Sequence, residues 1–324
     1  MEPKRVKHPL TWTLRPVLPK NVMADTVDTV NVFVDLIIDR TCTSKIVKSL
    51  AEPQFAVPAL SHLKRVKGQT VILMPAIGLS PEQCVAELRN KGFNFDGLSG
   101  RPTIVPVPRS VPKTCLQNQW ARELWPSNFH PDKRLESVLA GKYFNDLELA
   151  AIDSHMRTAL ECAGIGDGVG AAVVDPTNGQ IVAKSGDLRS EHPVKHAIMC
   201  VVDNVAKTQG GGAWGPVEPT NTSTDCDKTG PYLCTGYDIY VTREPCVMCA
   251  MALVHSRARR VFYGYSRPTV GGLGGLVSVH LLDGINHRFE VFAGVLEQEC
   301  HAAAETVLMS TAGDNDIEGL KLQL

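Results

Sequence analysis

The chain has 324 residues, of which 44% are hydrophobic and 21% charged, with a formal net charge of −1. That length allows two domains and an ample core. No apolar run is long enough for a membrane helix, and Met1-Glu2-Pro3-Lys4-Arg5 does not lead into a secretory signal, so the ten Cys are expected as reduced thiols of an intracellular protein rather than as a disulfide framework.

The charge is unevenly spread. The first 113 residues carry 16 Lys and Arg against 9 Asp and Glu, and the remainder carries 17 against 25. A basic front half suits a polyanionic partner as well as it suits a solvated lysine-rich surface.

Residues 1–25, with Lys4, Arg5, Lys7, Pro9, Pro16 and Pro19, read as a tail. Residues 26–112 read as a small α+β domain. Thr29 to Ile38 is strand-like, and Ile46, Val47 and Leu50 share one helical face. Leu60 to Val66 and Thr70 to Pro75 form two strands around Lys67-Gly68-Gln69. A helix follows with Ser80 as N-cap, Pro81 at its first position and Gln83 completing a capping box; Gly92 stops it, and Thr103 to Val107 is a last strand. The order β-α-β-β-α-β is the ferredoxin-like arrangement. It lacks the aromatic run of an RNA-recognition sheet, so RNA contact is expected through charge, at Lys64, Arg65 and Lys67; the alternative is a domain that only docks against the other half.

Residues 113–145 read as a linker, broken by Pro126 and Pro131, with Trp120 and Trp125 packed against a domain. The second domain spans 146–324. A helix from Leu147 to Cys162 precedes a hairpin, Val169 to Val174 and Gln180 to Lys184, turning at Asp175-Pro176-Thr177-Asn178-Gly179. A helix from His192 to Ala206 comes next. Residues 207–236, rich in Gly, Pro, Thr, Ser and Asp, form a long insert. Its Cys226 and Cys234 have no partner His, so they read as ordinary thiols rather than a second metal site. Strands at 238–242 and 259–264 flank a helix beginning at Pro245. Gly271-Gly272-Leu273-Gly274-Gly275 reads as a flexible turn.

The chemistry lies in Glu244-Pro245-Cys246-Val247-Met248-Cys249 together with His196-Ala197-Ile198. Cys246 and Cys249, three residues apart, lie on one face of a first helical turn, whose N-terminus favours thiolates. Two Cys and one His with a fourth position open suit a catalytic-type Zn²⁺ site; the plainer alternative is two buried thiols and no metal. Cys300, His301 and the C-terminal carboxylate are candidates for the fourth position.

Pro-Cys-x-x-Cys preceded by His-x-Glu is the signature of zinc nucleobase deaminases, whose Glu shuttles protons without binding zinc. Here Ile198 occupies the Glu position, and Ile198 has no proton to move. Residues 241–257 resemble the zinc-ligand helix of tRNA adenosine deaminases, and residues 285–296 resemble their last strand and helix start. With Ile198 the chain is similar to the non-catalytic subunit of the eukaryotic heterodimeric enzyme that converts wobble adenosine to inosine. The resemblance implies a cytidine deaminase-like α/β/α sandwich with a mixed sheet. It implies zinc on His196, Cys246 and Cys249, no catalytic residue of the chain's own, a catalytic deaminase subunit and tRNA as partners, no membrane, and residence in nucleus and cytoplasm. The rival readings are a self-sufficient zinc nucleobase or nucleoside deaminase using another acid, and a zinc-stabilised RNA-binding protein.

Overall fold

The computed structural model describes residues 11–214 and 232–311, with the backbone alone for 308–311. Two compact units divide the chain: Pro19–Ala140 is one, and Met1–Leu18 with Gly141–Leu324 is the other. The first described element, the two-residue strand β1 (Arg15–Pro16), belongs to the sheet of the second. The Pro19–Ala140 unit is therefore an insertion between residues 18 and 141, where the sequence suggested a tail, a domain at 26–112 and a linker. The periodicity could not show this, because a two-residue strand has none.

The inserted unit runs α1 (Lys20–Met23), β2 (Thr29–Leu36), α2 (Thr43–Ser49), β3 (Val66–Lys67), β4 (Thr70–Pro75), α3 (Pro81–Asn90), β5 (Thr103–Pro108), α4 (Cys115–Leu124) and α5 (Lys133–Leu139). Its sheet has the order β3-β4-β2-β5, antiparallel throughout. The alternation of β2 sends Phe33 to one face and Val32 and Val34 to the other, and both faces are buried. Ile46 of α2, Leu50 at its C-cap, and Cys84 and Leu88 of α3 cover Phe33, Val71 and Leu73. Leu60, Leu63 and Trp125 cover Val32, Val34, Ile72 and Val107.

The α3 capping box forms as its sequence requires, with the Gln83 N–H donating to Ser80 Oγ at 3.3 Å and the Ser80 N–H donating to Gln83 Oε1 at 2.7 Å. The expected strand from Leu60 to Val66 is not one. Pro58–Leu60 is a 3₁₀ turn, and the N–H of Leu63 donates to the Leu60 carbonyl, so two leucines three residues apart face the same side of the sheet. The linker is also structured: Trp125 is buried, and its Nε1 donates to the Lys64 carbonyl at 2.6 Å.

The second unit continues with α6 (Asp146–Ala163), β6 (Gly170–Asp175), β7 (Gln180–Gly186), α7 (Ala197–Thr208), β8 (Asp238–Arg243), α8 (Val247–His255), β9 (Arg260–Tyr265), β10 (Glu290–Ala293) and α9 (Glu297–Thr311). Its six-stranded sheet has the order β1-β10-β9-β8-β6-β7. β10, β9 and β8 are parallel; β6, β7 and β1 join antiparallel. The sheet is mixed, with helices on both faces. Val173, Ile239, Val241, Val261 and Tyr263 pack with Val201 and Val205 of α7 and Leu253 of α8. The intervening positions face α6 and α9. At Gly170 a Cβ would lie 2.0 Å from the Ala159 carbonyl oxygen of α6, so only glycine lets that helix sit so low on β6.

The helix expected from His192 starts instead at Ala197. Pro193 interrupts it, and residues 188–195 form turns in which the Leu188 carbonyl accepts the Glu191 and His192 N–H groups. Of the 207–236 insert, residues 215–231 lie outside the described residues, and Cys226 with them. Cys234 is buried in the core beside α8. Among the described residues no helix is long and apolar enough to cross a membrane.

Candidate metal centre

Two helices begin at the same place. His196 is the N-cap of α7 and Cys246 the N-cap of α8, so Cys249 is the third residue of its helix and Ile198 the second of its own. The parallel strand β8 ends at Arg243 and delivers Glu244-Pro245-Cys246 to this point. His196 Nδ1 lies 3.6 Å from Cys246 Sγ. The donor atoms of His196, Cys246 and Cys249 all fall within 4.8 Å of one another. This is the set expected from the sequence.

The Cys249 thiol hydrogen-bonds Cys246 and, with the helix N–H groups of Met248 and Cys249 and the nearby imidazole, holds the Cys246 pKa down at about 5. The same hydrogen bond, reinforced by burial, pushes Cys249 upward. A cation binding there would displace the thiol proton. Two sulfurs and an imidazole at this spacing fit a zinc-type ion.

Above the donors is a cavity of about 20 Å³, lined on its apolar side by Val169, Ala197, Ile198 and Val241. That is room for a water, which needs roughly 10–15 Å³ on this measure. Ile198 is 2% exposed. Two carboxylates, Asp187 and Glu244, also line the cavity, and both are engaged. Asp187 accepts from Arg189 Nε at 2.8 Å and pairs with Arg243 at 3.8 Å. Glu244 accepts three backbone N–H groups, from Arg267 at 2.7 Å, Leu273 at 3.0 Å and Gly275 at 2.8 Å.

Those three bonds revise the reading of the glycine run. Residues 271–275 are pinned rather than flexible. A Cβ at Gly271 would lie 2.2 Å from the Glu244 carboxyl carbon, and the Gly272 N–H donates to the Pro245 carbonyl at 2.7 Å. The glycines let the loop close on the start of α8. The sequence does not reveal the loop-holding role of Glu244 or the place of Asp187. The one sequence signal for either was a carboxylate directly before Pro-Cys with glycines some 30 residues on.

The other candidates scatter. Cys300 is fully buried, its Sγ donating to the Val295 carbonyl at 3.7 Å, and burial pushes its thiol up to about 12. His301 packs on Tyr265 and meets Glu305 at 3.4 Å. Neither joins the His196 group, since both ride on α9 across the sheet. The C-terminal carboxylate lies outside the described residues. Among the three basic residues singled out for RNA, Lys64 is exposed. Arg65 turns in to the Leu50 carbonyl at 2.7 Å. Lys67 Nζ closes the end of α4 on the Glu123 and Leu124 carbonyls at 2.9 and 2.7 Å, a favourable place for a cation.

Residues 150–265 match the family described as "Cytidine and deoxycytidylate deaminase zinc-binding region". Over 327 aligned positions the chain is 38% identical to the "Probable inactive tRNA-specific adenosine deaminase-like protein 3" of Homo sapiens, covering 90% of this chain and 92% of that protein. It is 31% identical over 250 positions to the "tRNA-specific adenosine deaminase subunit tad3" of Schizosaccharomyces pombe, covering 72% of this chain and 73% of that one. Over 134 positions it is 34% identical to the "tRNA-specific adenosine deaminase" of Bacillus subtilis, 41% of this chain and 70% of that one. With likeness extending along nine-tenths of its length, the chain belongs to the family of tRNA-specific adenosine deaminase-like protein 3.

Proposed function

We propose that this chain is the non-catalytic, zinc-binding subunit of a heterodimeric deaminase that converts the wobble adenosine of tRNA to inosine. The observation that carries the proposal is Ile198, buried beside the three donors where a proton-moving carboxylate would have to stand. Neither of the other two cavity carboxylates replaces it, because Asp187 is spent on arginines and Glu244 on backbone N–H groups. A cavity of about 20 Å³ also leaves no space for a purine. The self-sufficient deaminase therefore lacks both its acid and its substrate pocket.

His196, Cys246 and Cys249 would hold the zinc. When bound, the ion cross-links the starts of α7 and α8 and polarises whatever occupies its fourth position. The residues of this chain contribute shape. Ile198 fills the cavity, and Glu244 fixes the loop against the helix that carries both thiols.

The outer face of α8 supports a protein partner. That helix is apolar nearly all round, as a buried helix would be, yet Val247 is 41% and Met248 38% exposed. Val194 and Val270, exposed beside the two helix starts, extend the apolar surface that a homologous deaminase would cover. The basic excess of the first 113 residues supports tRNA contact through charge, with Lys64 the outward-facing member of its cluster.

The test is inosine formation on a tRNA with wobble adenosine, measured for the purified chain alone, for a Glu-bearing deaminase homologue alone, and for the pair. Activity confined to the pair is expected. Turnover by the chain alone would support the self-sufficient enzyme, and tRNA binding without activity in any pairing would support the RNA-binding protein.

A further inference from the structure

The Pro19–Ala140 unit contains a pocket with its own chemistry. It lies between α2 and the Pro58–Leu60 turn and has a volume of about 300 Å³, at the lower end of the roughly 300–1,000 Å³ typical of small-molecule sites. Val47, Leu50, Val57, Leu60 and Leu63 form an aliphatic wall; Ser61 also lines it, and its charged member is Arg65.

Arg65 is an unusual residue to find there. Its Nη2 donates to the carbonyls of Leu50 at 2.7 Å and Phe55 at 3.4 Å. Among the described residues these carbonyls are its partners, and no carboxylate pairs with it. Neither Nε nor Nη1 is among the buried nitrogens left without a partner, so neither is sealed from solvent. Burial without a counter-charge lowers the guanidinium pKa. A cation anchored by two carbonyls, with donors to spare at the edge of an aliphatic pocket, is chemically incomplete.

We propose that this pocket binds a small aliphatic carboxylic acid, its chain against the leucines and valines and its carboxylate on the free N–H groups of Arg65. The guanidinium selects the charged head group, and the absence of any aromatic or further charged side chain in the wall selects a plain hydrocarbon tail.

Isothermal titration of the full chain with sodium hexanoate and with hexan-1-ol tests this. Hexanoate should bind saturably with a dissociation constant of about 1 mM. Hexan-1-ol, which has the same tail without the charge, should bind about tenfold more weakly. Ala56→Phe, which adds bulk at an exposed residue of the pocket lining and keeps Arg65, should weaken hexanoate about tenfold or more with unchanged melting. Arg65→Met should bring hexanoate down to the level of hexan-1-ol; because it also removes the Leu50 and Phe55 bonds, its melting is measured alongside, and Ala56→Phe stands independently of it. Equal binding of acid and alcohol, no saturable hexanoate binding to the folded chain, or undiminished binding to Ala56→Phe would each overturn the proposal.

Discussion

The imidazole of His196 and the sulfur of Cys246 lie 3.6 Å apart across fifty residues of sequence, and each residue is the N-cap of its helix. The two helix starts converge on the point where a cation would sit, and the sheet beneath sets their spacing. Removing a donor should therefore release the metal and also loosen the junction of α7 and α8. Cys249→Ser is expected to reduce zinc in the purified protein from about one ion per chain to near zero and to lower the melting temperature. Metal analysis and calorimetry check this, and full zinc retention would remove Cys249 from the donor set.

Restoring the missing carboxylate should not restore catalysis. Ile198→Glu places a longer, charged group in a cavity of about 20 Å³, already lined by Asp187 and closed by apolar neighbours. It should cost about 3 kcal/mol of stability and yield no inosine from the chain alone. Urea denaturation and the tRNA assay read the two effects separately.

The carboxylate of Glu244 holds three backbone N–H groups of the loop at 266–275. Glu244→Gln leaves one acceptor oxygen and turns an amide N–H₂ toward N–H groups that need acceptors. A loss of about 3 kcal/mol is expected, with faster hydrogen exchange at Leu273 and Gly275. Unchanged exchange there would show that the loop is held by something else.

His280 supplies a pH dependence. It is 2% exposed, its Nε2 faces the Val17 carbonyl at 3.2 Å, and its Nδ1 has no partner among the described residues. Burial depresses its pKa to about 4 from an ordinary 6.5. The unfolded chain therefore binds this proton first as pH falls. The contribution to stability is complete above pH 6.5, declines as pH drops toward 4, and totals about 3 kcal/mol over that window. His280→Gln keeps a donor for Val17 and should flatten this part of the stability–pH curve relative to the unmutated chain. Identical curves between pH 6.5 and 4 would contradict the assignment.

The short strand β1 closes the sheet edge at β10, Trp12 Nε1 donates to Asp153 on α6 at 2.9 Å, and the Val17 carbonyl meets His280. Trp12→Ala should thus destabilise the unit that holds the metal centre, by about 2 kcal/mol. Hydrogen exchange at β10 is the readout, and protection equal to that of the unmutated chain would show that the segment is dispensable.

What the sequence revealed, and what it concealed, has a physical pattern. The meeting of His196, Cys246 and Cys249 was legible because metal binding would demand particular atoms at particular spacings, and the place of Ile198 beside them was legible because its neighbours marked the position. The hairpin, the capped helix α3 and the strands beside α8 were legible through turn residues, caps and periodicity. The carbonyl contacts of Arg65 and Lys67 were hidden: their charge is visible in sequence, while the Leu50, Phe55, Glu123 and Leu124 carbonyls that meet it are assembled only by folding. The clamp of Glu244 on the glycine loop and the pairing of Asp187 with Arg189 and Arg243 were hidden for the same reason. The edge strand at Arg15 was hidden because a two-residue pairing depends entirely on its distant partner.

The most direct measurement of the central claim is inosine formation by the zinc-loaded chain, alone and mixed with a Glu-bearing deaminase homologue, on one tRNA preparation with the metal content of each sample determined. The account predicts bound zinc with no inosine from the chain alone, and activity from the pair that exceeds that of the homologue alone. Inosine produced by the chain alone at an ordinary enzymatic rate, or a pair no more active than the homologue, would contradict it.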